Sequence, residues 1–155
     1  MYKIKIICLG KTRQEFIKKG IAEYQKRIAP WSDINWIIAP DISIKKNSIP
    51  SEIMKKEALR LNDHMTGEDF NIALDENGRE MGSLEFAELL NQLKGKKGVS
   101  FFIGGIYGLA EDIKKRCDRE LSFSRLTFTH QMIRLILIEQ LYRAFTILAG
   151  KKYHY

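Results

Sequence analysis

The sequence is poor in cysteine, proline and long apolar runs, and each shortage excludes a class of protein. Its 155 residues include two cysteines and three prolines. Cys8 and Cys117 are far apart, with no second cysteine or histidine at metal-ligand spacing, so we expect neither a disulfide framework nor a zinc site. No run approaches the roughly 20 apolar residues of a membrane span, and residues 1–5 form no signal core. We therefore expect a cytoplasmic protein without a metal or a membrane partner.

Positive charge is in excess but is not concentrated. Lysine and arginine number 26 against 19 acidic residues, which gives a net charge of +7 without a basic arm. Such a balance suits a polyanionic partner and does not identify one. Hydrophobic residues make up 45% of the chain, enough at this length for one core, so we expect a single domain over residues 1–155.

Five segments in which apolar residues follow the pattern of a strand are each followed by a segment in which they have helical spacing. Strands are predicted at 2–9, 33–39, 71–74, 99–103 and 121–126, and helices end near residues 28, 65, 93, 117 and 148. Thr12 and Glu15 have capping-box spacing, Ser51 is a plausible cap, and residues 75–78 read as a turn. The order predicts an α/β fold, with a mainly parallel sheet and helices on both faces.

In parallel sheets, ligands bind beyond the carboxyl ends of the strands, which directs attention to residues 74–79, 104–108 and 126–130. The glycine loop 104–108 follows a strand and precedes a helix, where amides are free to bind a ligand, although a tight structural turn explains it equally well. Residues 121–131 combine hydroxyls, a basic side chain and His130. The alternative there is that Thr129 only caps the next helix.

The last predicted helix is apolar nearly all round in its first turns. This indicates burial on several sides, and hence a homodimer, with Arg134 paired to a carboxylate or facing a ligand. Further along, Glu139 and Arg143 stand four residues apart and can form an ordinary ion pair. The chain ends on two lysines, Tyr153, His154 and another tyrosine, a combination suited to stacking on bases or to proton transfer, unless Tyr153 only docks the tail on the core.

Five stretches together resemble the ribosomal large subunit methyltransferase H family. They are the glycine loop 103–109, the strand 121–124, the turn 127–134, the helix 139–145 and the tail 153–154. The likeness extends over the whole chain, including the strand-turn at residues 7–11, and is most specific after residue 100.

The resemblance implies a SPOUT-type fold whose C-terminal part, about residues 100–150, forms a trefoil knot, a topology that periodicity does not predict. It also implies an obligate homodimer with S-adenosylmethionine bound in the knot. The implied reaction is methyl transfer to N3 of a pseudouridine in the helix 69 loop of 23S ribosomal RNA, on the assembled ribosome.

The resemblance also implies site residues by position. The cofactor contacts are Leu74, Gly104, Phe123, Ser124, Arg125, Leu126, Thr127 and Phe128. The catalytic candidates are His154 or His130 as the base, Arg143 to stabilise the developing imidate or grip a phosphate, and Tyr153 to contact the base. The tail 150–155 completes the partner subunit's site in this pattern.

Two alternatives differ in function. One is a non-catalytic, dimeric RNA-binding or ribosome-associated module of the same fold, which the charge and the aromatic tail suit equally well. The other is a flavodoxin-like nucleotide binder, which is disfavoured because phosphate-loop signatures are missing.

Overall fold

Five strands and five helices alternate along the chain, as the sequence predicts. A computed structural model describes residues 1–153. The strands are β1 (Tyr2–Leu9), β2 (Ser32–Ala39), β3 (Asp69–Glu80), β4 (Gly98–Phe102) and β5 (Arg119–Ser122). The helices are α1 (Glu15–Ile28), α2 (Pro50–Asn62), α3 (Ser83–Leu93), α4 (Glu111–Arg116) and α5 (Met132–Leu148).

The strands form one sheet in the order β2-β1-β4-β3-β5, and every neighbouring pair is parallel. The α/β fold with a parallel sheet is therefore confirmed. Because all strands run the same way, the loops that follow them gather at one edge of the sheet, the carboxyl edge.

Each face of the sheet buries its own core. Along β1, Ile4 and Ile6 face a larger core that includes residues of α1, α3 and α5, while Ile7 and Leu9 face a smaller one beneath α2 and α4. This alternation follows from the two-residue period of a strand, with helices covering both faces. Within residues 1–153, no helix has the length and apolar character needed to cross a bilayer.

Several local predictions are wrong. Residues 75–78 do not end a strand: β3 continues to Glu80, and its pairing with β5 shifts register between Leu74 and Arg79. Strand β5 covers residues 119–122 instead of 121–126. The predicted caps fail because α1 starts after Gln14 without a side-chain cap, and α2 starts with Pro50, whose fixed φ suits a first turn.

Candidate functional site

A cleft of about 810 Å³ opens at the carboxyl edge of the sheet. Three backbone segments supply most of its wall: the shifted part of β3, the glycine loop after β4, and the segment between β5 and α5. The residues at the cleft are Leu74–Asn77, Ile103–Leu109, Leu121, Phe123, Ser124 and Leu126–His130, with Met54, Glu111, Lys114 and Ile133. The three loops indicated by the sequence thus meet in one place.

The glycine loop owes its shape to contacts within the protein. A Cβ on Gly104 would collide with Gly108 and lie 2.6 Å from the nitrogen of Leu109, so glycine is needed there for the loop to close on itself. Gly108 has φ of 81°, which favours glycine, and its N–H donates to the carbonyl of Gly105 at 3.1 Å. Gly104 lines the cleft, but its close contact with Gly108 and Leu109 is enough to explain why it has no side chain.

The segment after β5 is held by its own hydroxyls. Ser122 Oγ donates to the carbonyl of Ser124, and Ser124 Oγ accepts from the N–H of Leu126, both at 2.9 Å. Of the eight predicted cofactor contacts, all line the cleft except Arg125. That side chain is exposed, and its nearest carboxylate oxygen, on Glu80, is 3.7 Å away.

An ion-pair cluster that sequence reasoning missed lies in the cleft wall. Lys114 Nζ contacts Glu111 at 2.7 Å and Asp75 at 3.4 Å, and both Lys114 and Asp75 are largely buried. The hydrogen bond to Glu111 raises the pKa of Lys114. The three-residue spacing of Glu111 and Lys114 was a visible signal for half of this cluster, whereas Asp75 comes to it through the shift in β3.

His130 lines the cleft beside a buried arginine. Burial lowers the pKa of His130, and the charges of Arg134 and Arg13 lower it further. Arg134 is fully buried, and its guanidinium donates to Leu9 O at 2.7 Å, Gly10 O at 2.8 Å, Thr12 Oγ1 at 3.1 Å and His130 O at 3.2 Å. The predicted carboxylate or ligand partner of Arg134 is therefore wrong, because backbone carbonyls satisfy most of this cation.

Thr129 has the capping contact that the sequence allowed. Its Oγ1 accepts from the N–H of Met132, the first residue of α5, at 3.1 Å. Gln131 also ties this turn to the loop after β1, since its amide oxygen accepts from the N–H of Arg13 at 2.9 Å. The start of α5 is thus fixed to the end of β1.

The other catalytic candidates lie near the opposite end of α5. Arg143 donates to Glu139 at 2.8 Å, and the Tyr153 hydroxyl donates to the same oxygen at 3.2 Å. The Arg143 guanidinium lies 5.0 Å from the ring centre of Tyr153, which packs edge-on against Tyr142. Burial and the charge of Glu139 raise the pKa of Tyr153. His154 lies outside the described residues.

One chain therefore separates its candidate catalytic residues into two groups. At 1.5 Å per helical residue, the rise from Met132 to Arg143 is about 16 Å. His130 stands at the cleft, while Arg143 and Tyr153 form a second cluster near the far end of the helix. Among residues 1–153, no three histidine, cysteine or acidic side chains are grouped so as to hold a metal ion.

Comparison with known proteins identifies the class to which this fold and cleft belong. A family model described as predicted SPOUT methyltransferase matches residues 2–154. The chain belongs to the SPOUT methyltransferase family, and within it to the ribosomal RNA large subunit methyltransferase H group that its sequence resembles.

A sequence relative supports this placement, and two solved structures share the fold. The chain is 41% identical to ribosomal RNA large subunit methyltransferase H of Carboxydothermus hydrogenoformans, over 98% of this chain and 99% of that one. A protein of Haemophilus influenzae described as a probable methylase family protein has the same fold, with a TM-score of 0.56 and 13% identity, covering 99% of this chain and 71% of its own. The SpoU methyltransferase AviRb of Streptomyces viridochromogenes, solved in complex with AdoMet, aligns with a TM-score of 0.50 and 12% identity, covering 96% and 59%.

Proposed function

We propose that this chain methylates large-subunit ribosomal RNA with S-adenosylmethionine as the methyl donor, working as a homodimer. The observation that carries the proposal is the cleft at the carboxyl edge, formed by three loops in a chain of the SPOUT methyltransferase family. The finer target is N3 of a pseudouridine in the helix 69 loop of 23S ribosomal RNA, on the assembled ribosome.

The cleft suits the cofactor in size and in chemistry. Its volume of about 810 Å³ lies in the usual range for pockets that bind small molecules. Leu74, Phe123 and Phe128 offer apolar surface for an adenine ring, while the glycine loop at Gly104 brings backbone groups to the ligand. Ser124, Leu126 and Thr127 complete the set that would hold it. When bound, the cofactor supplies a methyl group made electrophilic by a positively charged sulfur.

We assign to His130, which lines the cleft, the removal of the proton that N3 must lose. Its lowered pKa keeps the imidazole neutral near pH 7, which is the form that accepts a proton. His154 in the tail is the alternative base. Met54 and Ile133 also line the cleft, and their apolar side chains would reduce access of water to the reacting groups.

The second copy of the chain supplies the rest of the site. Arg143 lies about three turns along α5 from the cleft, and Tyr153, which follows the helix, packs beside it. We therefore assign both to the partner's cleft, Arg143 to stabilise the anionic base and Tyr153 to stack on it. Met132 and Ile136 are partly exposed on α5 and lie outside both cores, which favours an interface along this helix. The trefoil knot belongs to the same proposal.

Mixed dimers test the shared site directly. We expect His130→Ala and Tyr153→Ala homodimers each to lose at least 90% of methyl transfer to ribosomes. Co-expressed with two different tags and purified through both, the mixed dimer has one cleft that combines native His130 with native Tyr153. It is expected to recover about half of the wild-type rate. A mixed dimer as inactive as its parents would place both residues in the same chain's site.

Mapping of methylated nucleotides tests the substrate. Ribosomes from cells lacking the protein are incubated with purified protein and labelled S-adenosylmethionine, with free 23S RNA as the comparison. We expect label at a single pseudouridine, on assembled ribosomes only. Ribosome binding without transfer of label would instead favour the non-catalytic RNA-binding module.

A further inference from the structure

Glu57 is a buried acid that the proposed reaction does not use. It lies on α2 between Ile53 and Leu61, on the stripe that faces the sheet, and only 5% of the residue is exposed. Its Oε1 is buried without a hydrogen-bond partner among the described residues. An acid of this kind is costly to bury, so its position requires a reason.

The Glu57 carboxylate packs directly behind the glycine loop. A Cβ built on Gly105 would overlap the carboxylate and lie 3.1 Å from Oε1, so Gly105 leaves room for the acid. Gly105 lines the cleft, and so does Met54, which precedes Glu57 by about one turn on the same helix. The carboxylate therefore forms the layer immediately behind the cleft wall.

Glu57 also differs in its charge partners from the other acids at the cleft. Asp75 and Glu111 share the Lys114 ammonium, whereas no cation within residues 1–153 is hydrogen-bonded to Glu57. Burial, together with the charge of Asp41, raises the pKa of Glu57 to about 7. A cation entering the cleft would favour the ionised form.

Two arginines near α2 have partners other than Glu57. Arg60, on the same helix, donates to the carbonyls of Pro40 and Asp41. Arg116, on α4, donates to Asn62 at the end of α2. Asp41, in the loop after β2, is bound by Arg13.

We propose that Glu57 recognises the positive charge of the methyl donor through the glycine loop, so that the cleft binds the charged sulfonium more tightly than the uncharged product. The inference rests on the proposed function. In the reaction, the bond from sulfur to the methyl carbon breaks as the bond from N3 to that carbon forms, and the N3 proton passes to the base. The sulfonium becomes a neutral thioether, S-adenosylhomocysteine. Loss of its attraction to Glu57 then favours product release.

Calorimetry with both ligands tests this preference. S-adenosylmethionine and S-adenosylhomocysteine are titrated into the full-length wild-type protein and Glu57→Gln at pH 7. We expect the variant to lose about tenfold of the preference for the charged ligand, equivalent to about 1.4 kcal/mol. Glu52→Gln, an exposed carboxylate on the same helix, is the matched control and is expected to behave like the wild type.

Proton release provides a readout that a purely structural role would not change. Repeating the titrations in phosphate and Tris buffers, whose ionisation heats differ, measures protons released on binding. At pH 7 we expect S-adenosylmethionine to displace up to about half a proton more from the wild type than from Glu57→Gln. S-adenosylhomocysteine should show no such difference.

The outcomes separate the two proposals. If the wild type binds neither ligand, the proposed cofactor, and with it the proposed function, is wrong. If both ligands bind but Glu57→Gln keeps the wild-type preference and proton release, the role of Glu57 is wrong and the proposed function stands. A pH series on the wild type needs no variant: the preference should grow from pH 5.5 to pH 8.5, and a flat profile contradicts the inference.

Discussion

Two buried carboxylates near opposite edges of the sheet differ in their hydrogen-bond partners and in the direction of their pKa shifts. Asp69, at the start of β3, accepts from Lys5 Nζ at 2.6 Å and Ser100 Oγ at 2.8 Å. Burial alone would raise its pKa, but these hydrogen bonds and the lysine charge lower it overall. Glu57, near the carboxyl edge, has one oxygen without a hydrogen-bond partner in residues 1–153, and its pKa is raised to about 7.

The difference separates structural charges from functional ones. Asp69 has strong partners and stabilises the amino edge of the sheet. Arg134 resembles it, since four hydrogen bonds satisfy its buried guanidinium. Of these three, Glu57 is the one without such partners in the described part of the chain, and it lies beside the cleft. Acids whose pKa is strongly shifted by unfavourable burial are found preferentially at functional sites. Comparing variants of the three residues measures the cost of burying Glu57.

The largest effect on stability is expected from replacing Arg134, the buried cation whose hydrogen bonds are made within the protein. Arg134→Met leaves the carbonyls of Leu9, Gly10 and His130 without this donor in the protein interior, and should lower the free energy of unfolding by about 4 kcal/mol. Urea denaturation measures the loss. Arg143→Met, on the same helix but in an ion pair whose side chains are 26% and 20% exposed, is the control and should cost less than about 1 kcal/mol. Equal losses in the two variants would contradict the distinction.

Glu57→Gln should have the opposite sign and a smaller size. The folded-state pKa of about 7 lies above the ordinary value of 4.5, so the wild type loses stability as pH rises from 4.5 through 7. The amide does not ionise, and we expect it to raise the free energy of unfolding by about 2–3 kcal/mol at pH 8. At pH 4 most of this gain should disappear. Destabilisation at pH 8 would show that the ionised acid has a partner in the folded protein.

Asp69→Asn should give the smallest of the three effects. The amide keeps the shape of the side chain but loses the charge that binds Lys5, at a cost of about 1–2 kcal/mol at pH 7. The folded-state pKa is depressed, so the stabilisation is present above the ordinary value of 3.8 and is lost as pH falls through the folded value. Unfolding curves at pH 7 and pH 2.5 measure the change. A cost that persists unchanged in acid would contradict it.

The fold and the position of the cleft follow from signals that act locally. Strand and helix periods, with glycines after β4, fix the order of elements, and parallel strands must gather their following loops at one edge. Glu57 also had a signal, because it stands midway between Ile53 and Leu61 on a stripe of four-residue spacing. The cap and the approximate end of α2 were predicted from the sequence, but Glu57 was not among the predicted site residues.

Other features depend on contacts between distant parts of the chain. The register shift in β3 arises from its pairing with β5, so the polar run 75–78 reads as a turn when considered alone. Arg134 meets carbonyls at the end of β1, and no local pattern marks a carbonyl as the partner of an arginine. The trefoil knot stays a prediction, because hydrophobic periods carry no information about threading.

The bonds from Arg134 also set an order of events in folding. Arg134 and Leu9 are 125 positions apart in the chain, and β1 is an interior strand of the sheet. We expect this contact to form late, because closing so large a loop lowers the conformational entropy of the chain before the contact stabilises it. During synthesis, β2 can pair with the end of β1 early, but the carbonyls of Leu9 and Gly10 lack the Arg134 donor until most of the polypeptide has been made. We expect the closing of this edge by α5 to be the slow phase of refolding.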